Sequence, residues 1–96
     1  MSVWMSLKLT TQEGAWPKLK EFLDDKLPAV RRFAGARSVE IFFDEDQNNL
    51  MIFEEWTSKE AHQAYIEVIT KNGVLDELMG FMQSAPDISY YHRQPL

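Results

Sequence analysis

Four residues in the middle of the chain carry side chains that could do chemistry: Glu54, Trp56, His62 and Tyr65. Imidazole has an ordinary pKa of about 6.5, so His62 is the candidate general base at neutral pH. Tyr65 follows three positions later, on the same face of a helix, and its ring and hydroxyl suit a pocket wall. His62 reads equally as a surface histidine beside a helix start. Trp56 reads first as a core anchor and second as a cavity wall, because its large apolar area dominates packing. Glu54 is an acid among apolar neighbours. It is either paired with an arginine or set at a sheet edge, the leading expectation, or it is a perturbed carboxylate beside a cavity. Tyr90, Tyr91 and His92 could line a pocket or a seam between subunits.

Other chemistry is excluded by residue type and spacing. There is no cysteine, which removes disulfides, iron–sulfur clusters and thiolate metal sites. His62, His92 and Glu54 show neither HxH nor HExxH spacing, so no metal site is expected. The acidic run over 44–49 lacks the glycine and distal glutamate of an EF-hand and reads as a solvated turn.

The elements that position these residues follow from periodicity. Residues 50–56 alternate as a strand, with Leu50, Ile52, Glu54 and Trp56 on one face and Met51, Phe53 and Glu55 on the other. Thr57 and Ser58 offer a hydroxyl N-cap, Glu60 sits in the first turn, and Ala61, Tyr65, Val68 and Ile69 make a helical apolar face. Upstream, residues 2–10 alternate as a first strand with Val3, Met5, Leu7 and Leu9 facing together. Pro17 opens a helix marked by Leu19, Phe22, Leu23, Leu27 and Val30; Pro28 should kink or restart it, and Gly35 should cap it. Residues 37–44 form a second strand. Downstream, Asn72-Gly73 interrupts the second helix, residues 74–82 resume it, and 87–93 form the last strand.

The order β-α-β-β-α-β predicts a ferredoxin-like α+β fold, an antiparallel sheet with both helices on one face. At 96 residues the chain is one domain, 1–96. The third strand is apolar on both parities, and Trp4, Phe42 and Tyr91 add to the face the helices leave bare. A one-sided antiparallel sheet should be polar there. The expected cover is a second copy of the chain, packed sheet on sheet. The net charge of −5 argues against nucleic acid as a partner. No apolar run approaches the ~20 residues of a membrane helix, and the N-terminus lacks a leader, so a cytoplasmic protein is expected.

Two stretches carry a family resemblance. Gly35-Ala36-Arg37-Ser38-Val39-Glu40 and Glu54-Glu55-Trp56-Thr57-Ser58-Lys59-Glu60-Ala61-His62 resemble the antibiotic biosynthesis monooxygenase domain of the dimeric α+β barrel superfamily. The resemblance covers essentially the whole chain. It implies a homodimer with a small cavity between helices and sheet, holding a small apolar or aromatic ligand. Trp56 matches the tryptophan of the polyketide monooxygenases; their asparagine falls on Ile52 and their tyrosine on His62. The implied function is oxidation of a small, readily deprotonated aromatic or polyketide-like substrate by O2, without a cofactor. His62 would be the catalytic base, with Trp56, Tyr65 and Ile52 against the substrate. The alternatives are a non-catalytic ligand-binding or stress-associated dimer, and a lyase or isomerase needing the same base but no oxygen.

Overall fold

The computed structural model describes residues 2–96. In order, the chain forms β1 (Val3–Thr10), α1 (Trp16–Arg31), β2 (Ala36–Asp44), β3 (Asn49–Trp56), α2 (Lys59–Lys71), α3 (Val74–Met79) and β4 (Asp87–Tyr91). The strands make one antiparallel sheet in the order β2-β3-β1-β4. Pleating sends Val3, Met5, Leu7 and Leu9 of β1, Val39 of β2, and Leu50, Ile52 and Trp56 of β3 to the helix side. There they meet Leu19, Leu23 and Val30 of α1 and Leu78 of α3. Burying such a side chain is worth about 1.5–3 kcal/mol each, which is what joins the helices to the sheet. This is the ferredoxin-like α+β sandwich that the element order predicts.

Local details differ from the sequence reading. The helix α1 runs through Pro28 without a break. Pro28 lies near the helix end, and the helix closes at Arg32, whose N–H reaches the carbonyls of Pro28 and Val30. Gly35 is therefore not the helix cap. Its φ is +94°, and a Cβ there would stand 2.6 Å from Ala61 Cβ and 2.9 Å from Thr57 Oγ1. Its carbonyl accepts the Thr57 N–H at 2.8 Å. Glycine at 35 thus lets the start of β2 press against the start of α2. The β2–β3 register shifts between Ala36 and Ser38, just beyond this contact. Downstream, α3 stops at Met79 rather than Met82, and Met82 instead bridges to Thr11. Strand β4 stops at Tyr91, short of Arg93.

The far face of the sheet is as apolar as the alternation predicts. Trp4 stacks on Phe53 with ring centroids 5.4 Å apart, while Phe42 and Tyr91 remain 52% and 46% exposed. The Ser6 hydroxyl lies beneath, buried, and donates to the Tyr91 hydroxyl at 3.3 Å. Among the described residues no helix is long and apolar enough to cross a membrane.

The Gly35 contact generates a stability prediction. Gly35→Ala places a methyl in occupied space and forces a side chain into positive φ, so unfolding in urea should show a loss of about 2 kcal/mol or more. A loss below about 0.5 kcal/mol would mean that β2 and α2 are not held this closely.

Candidate active site

The site is built where β3 passes into α2. The two-residue repeat of β3 puts Ile52, Glu54 and Trp56 on the helix side in succession, and all three are buried. Ser58, extended at φ −159°, caps α2 by accepting the Ala61 N–H on its hydroxyl at 3.1 Å. The cap fixes where α2 starts and so which residues turn inward. These are His62, Tyr65 and Ile69; Val68, expected on the inner face, is exposed. His62 is only 1% exposed, which removes the surface-histidine reading.

Glu54 is the centre of the arrangement. Met5 of β1 and Val39 of β2 are its cross-strand neighbours, so apolar side chains flank it in the sheet. No arginine reaches it among the described residues, which corrects the expectation of a paired structural acid. Its Oε1 accepts the Trp56 indole N–H at 2.6 Å. His62 Nε2 stands 3.8 Å from the same oxygen and has no hydrogen-bond partner among the described residues. The other imidazole nitrogen, Nδ1, is 2.8 Å from the Tyr90 hydroxyl. Four aromatic rings enclose the group: Trp56 and Tyr90 lie edge-on to His62 at 5.3 and 5.5 Å, and Phe33 meets both Trp56 and Tyr65.

Burial sets the protonation states. It pushes the Glu54 carboxyl up from 4.5 to about 7, with the Trp56 hydrogen bond pulling the other way. It pushes His62 down from 6.5 to about 4, so the imidazole is neutral at pH 7 and its approach to Glu54 is no ion pair. Tyr65 is raised to about 12 by burial and by the neighbouring Glu54 charge, and Tyr90 is raised for the same reasons in the same order.

A cavity of about 50 Å³ lies between the sheet and all three helices. Ile52 and Glu54 form its floor, Tyr65 one wall, and Phe22, Leu27 and Leu75 stand among the residues around it. Ile52 and Tyr65 thus sit where the sequence reading puts substrate contacts. Trp56 and His62 are not in the lining; they stand behind Glu54 and touch it from outside the cavity. The cavity carboxylate is Glu54, and the signal for it was an acid sharing the parity of Leu50, Ile52 and Trp56. Tyr90 as the partner of His62 had no comparable signal, because the two are 28 residues apart. Among the described residues no group of three or more His, Cys, Asp or Glu is placed to hold a metal ion.

No protein-family model matches the chain, and neither does any curated protein. Solved structures do match, over nearly the full length. Rv0793 from Mycobacterium tuberculosis is 16% identical, with a TM-score of 0.84 over 100% of this chain and 98% of its own. An antibiotic biosynthesis monooxygenase is 10% identical, with a TM-score of 0.85 over 97% and 99%. SnoaB, a cofactor-independent oxygenase from Streptomyces nogalater solved as an asparagine-to-alanine mutant, is 12% identical, with a TM-score of 0.82 over 99% and 95%. The chain has their fold. At these identities the likeness extends to the backbone and not to the side chains of the site.

The opposed shifts of Glu54 and His62 predict a masked pH dependence of stability. Glu54 holds a proton more tightly folded than unfolded, so its contribution falls as pH rises from 4.5 to about 7. His62 holds one less tightly, so its contribution rises from about 4 to 6.5. The two oppose each other where the windows overlap, from 4.5 to 6.5. Urea titrations of Glu54→Gln should expose stability that rises with pH across this window, and those of His62→Gln stability that falls. Parallel profiles in both variants would contradict the assigned protonation states.

Proposed function

We propose that the protein oxidises a small, readily deprotonated aromatic or polyketide-like compound with O2, without a cofactor, and that Glu54 is the base. The observation that carries this reading is a carboxyl on the floor of an apolar cavity, raised to about 7 by burial. A general base works best with its pKa near the operating pH. His62 was the base expected from the sequence; at about 4, and outside the lining, it is weaker and out of reach.

The chemistry is balanced without a further electron carrier. Glu54 takes a proton from an activated carbon of the substrate, leaving an enolate or phenolate whose electrons pass to O2. The peroxide anion formed at that carbon takes back the proton held by Glu54; the hydroperoxide then loses the second hydrogen of the same carbon as its O–O bond breaks, which releases water and leaves a carbonyl. The apolar walls keep bulk water from the anion, and Tyr65 and Ile52 press on the ring. A cavity of about 50 Å³ is smaller than an aromatic ring, so its walls must part to admit one. The second reading is a ligand-binding module with no turnover, which would need the same opening. A lyase or isomerase would use the same base without oxygen.

The proposed assembly is a homodimer through the bare sheet face. Phe42, Met51, Phe53 and Tyr91 border a shallow depression of about 370 Å³ there, and an apolar face of this kind marks an interaction surface. Light scattering at micromolar concentration should give twice the chain mass, and Phe42→Glu should give the monomer, because an unpaired buried charge is costly. A wild-type monomer would remove the dimer.

Oxygen uptake tests the chemistry. Metal-free protein should consume O2 with an anthrone or hydroquinone, at a rate rising with pH to a plateau above about 7 as Glu54 ionises. Glu54→Gln should lower turnover by about 10²-fold or more. An unchanged rate in that variant would sink the assignment. Thermal stabilisation by the same compounds with no uptake would establish the binding module, and anaerobic proton exchange at the substrate carbon the lyase or isomerase.

A further inference from the structure

The imidazole of His62 presents an unusual balance. It is sealed from solvent, one nitrogen is held and the other is not. A buried polar atom without a partner costs stability unless some state of the site gives it one. The free nitrogen, Nε2, lies nearest to Glu54 through Oε1, the oxygen that already accepts the Trp56 indole N–H. At 3.8 Å the gap exceeds a hydrogen bond by less than an ångström. Which tautomer fills it depends on Tyr90. A phenol that donates to Nδ1 leaves the ring proton on Nε2, facing the carboxylate.

We infer that Tyr90 and His62 form a charge-responsive clamp on Glu54: Tyr90 donates to His62 Nδ1, and the Nε2–H thereby held toward Glu54 closes onto Oε1 when the carboxyl ionises. This deepens the reading of Glu54 as the base, on which its catalytic meaning rests. In the ionised state Oε1 accepts from two N–H donors, Trp56 on its own strand and His62 on α2. Oε2 is then the oxygen left to take the substrate proton. When that proton arrives the charge disappears, His62 is released, and the acid is no longer held in its ionised form. Tyr90 and His62 are positioning residues in this scheme; neither touches the substrate.

Few other groups can set the protonation of Glu54. Those that face it are His62 and Tyr65 from α2, Tyr90 from β4 through His62, and Lys26 of α1, which lines the same cavity. Strands β1 and β2 present Met5 and Val39, and α3 presents Val74, Leu75 and Leu78, none of which titrates. Lys26 is engaged at the rim by Asp25 at 3.3 Å. The Tyr90 hydroxyl is therefore the remote group with a defined path to the carboxylate.

The test reads Glu54 directly, independently of turnover. In protein carrying 13C-labelled glutamate carboxyls and 15N-labelled imidazoles, NMR follows the Glu54 midpoint and the His62 tautomer between pH 5.5 and 8.5. Glu54→Gln assigns the carboxyl, and His92→Ala separates the two histidines. The wild type should carry the His62 proton on Nε2, and the Nε2 signal should shift with Glu54 ionisation. Tyr90→Phe should raise the Glu54 midpoint by about one unit, moving the rate profile with it and lowering the rate about tenfold at pH 6. His62→Gln, whose amide nitrogen can take the place of Nε2, should keep the midpoint within about half a unit of the wild type, while His62→Leu should raise it. A proton on Nδ1, or a midpoint unmoved by Tyr90→Phe and His62→Leu in folded protein, would overturn the clamp. A shifted midpoint in a protein that takes up no oxygen would uphold the clamp and discard the oxygenase reading.

Discussion

A carboxylate on the inner face of a central strand has to be solvated by protein, and the organisation of the site follows from that need. Glu54 lies on β3 with strands on both sides and helices above it. Water cannot supply the hydrogen bonds that such a group loses on burial. The chain supplies one from two residues along the same strand, the Trp56 indole, and sets an imidazole nitrogen, His62 Nε2, 3.8 Å from the same oxygen. The remaining mismatch appears in the carboxyl itself, which burial pushes up from 4.5 to about 7. An ordinary salt bridge would have lowered that pKa again, because a neighbouring cation favours the ionised form.

Precise placement of those donors depends on the short link between β3 and α2. The Ser58 cap fixes the first turn of α2, and the Gly35 carbonyl holds the Thr57 N–H just before it. With no side chain at 35, the loop from α1 comes close enough to lock that link from the far side. His62 then falls one turn into α2, over Glu54 and edge-on to Trp56. The contacts that stabilise the junction are therefore also those that aim the imidazole. Backbone packing and site geometry are here the same set of interactions.

Much of this was legible before any coordinates. The alternation in β1, β2 and β3 identified which residues face the helices, and element order gave the topology. The Ser58 cap and the Asn72-Gly73 break were local signals and held. What could not be read was rotational phase. Ala61, Tyr65, Val68 and Ile69 span a broad arc of α2, so pattern alone cannot say that His62 turns inward and Val68 outward. Only the angle at which α2 leaves β3 decides it. Pro28 misled for a related reason: its penalty is severe in a helix interior, and less so near an end already losing its hydrogen bonds. The change from a paired Glu54 to a solitary one, and the arrival of Tyr90, are tertiary facts without a local trace.

Strand β4 is five residues long and pairs with β1 alone. Its pleat sends Tyr90 inward to His62 and the very next residue, Tyr91, outward to Ser6. The last two residues of the strand therefore carry a phenol to each face of the sheet. Whatever settles on the outer face and tilts β4 must move both hydroxyls together. One peptide unit thus separates the phenol on the outer face from the one that meets the imidazole inside. An edge strand that looks like the least important part of the sheet therefore places the one hydroxyl that meets the buried imidazole.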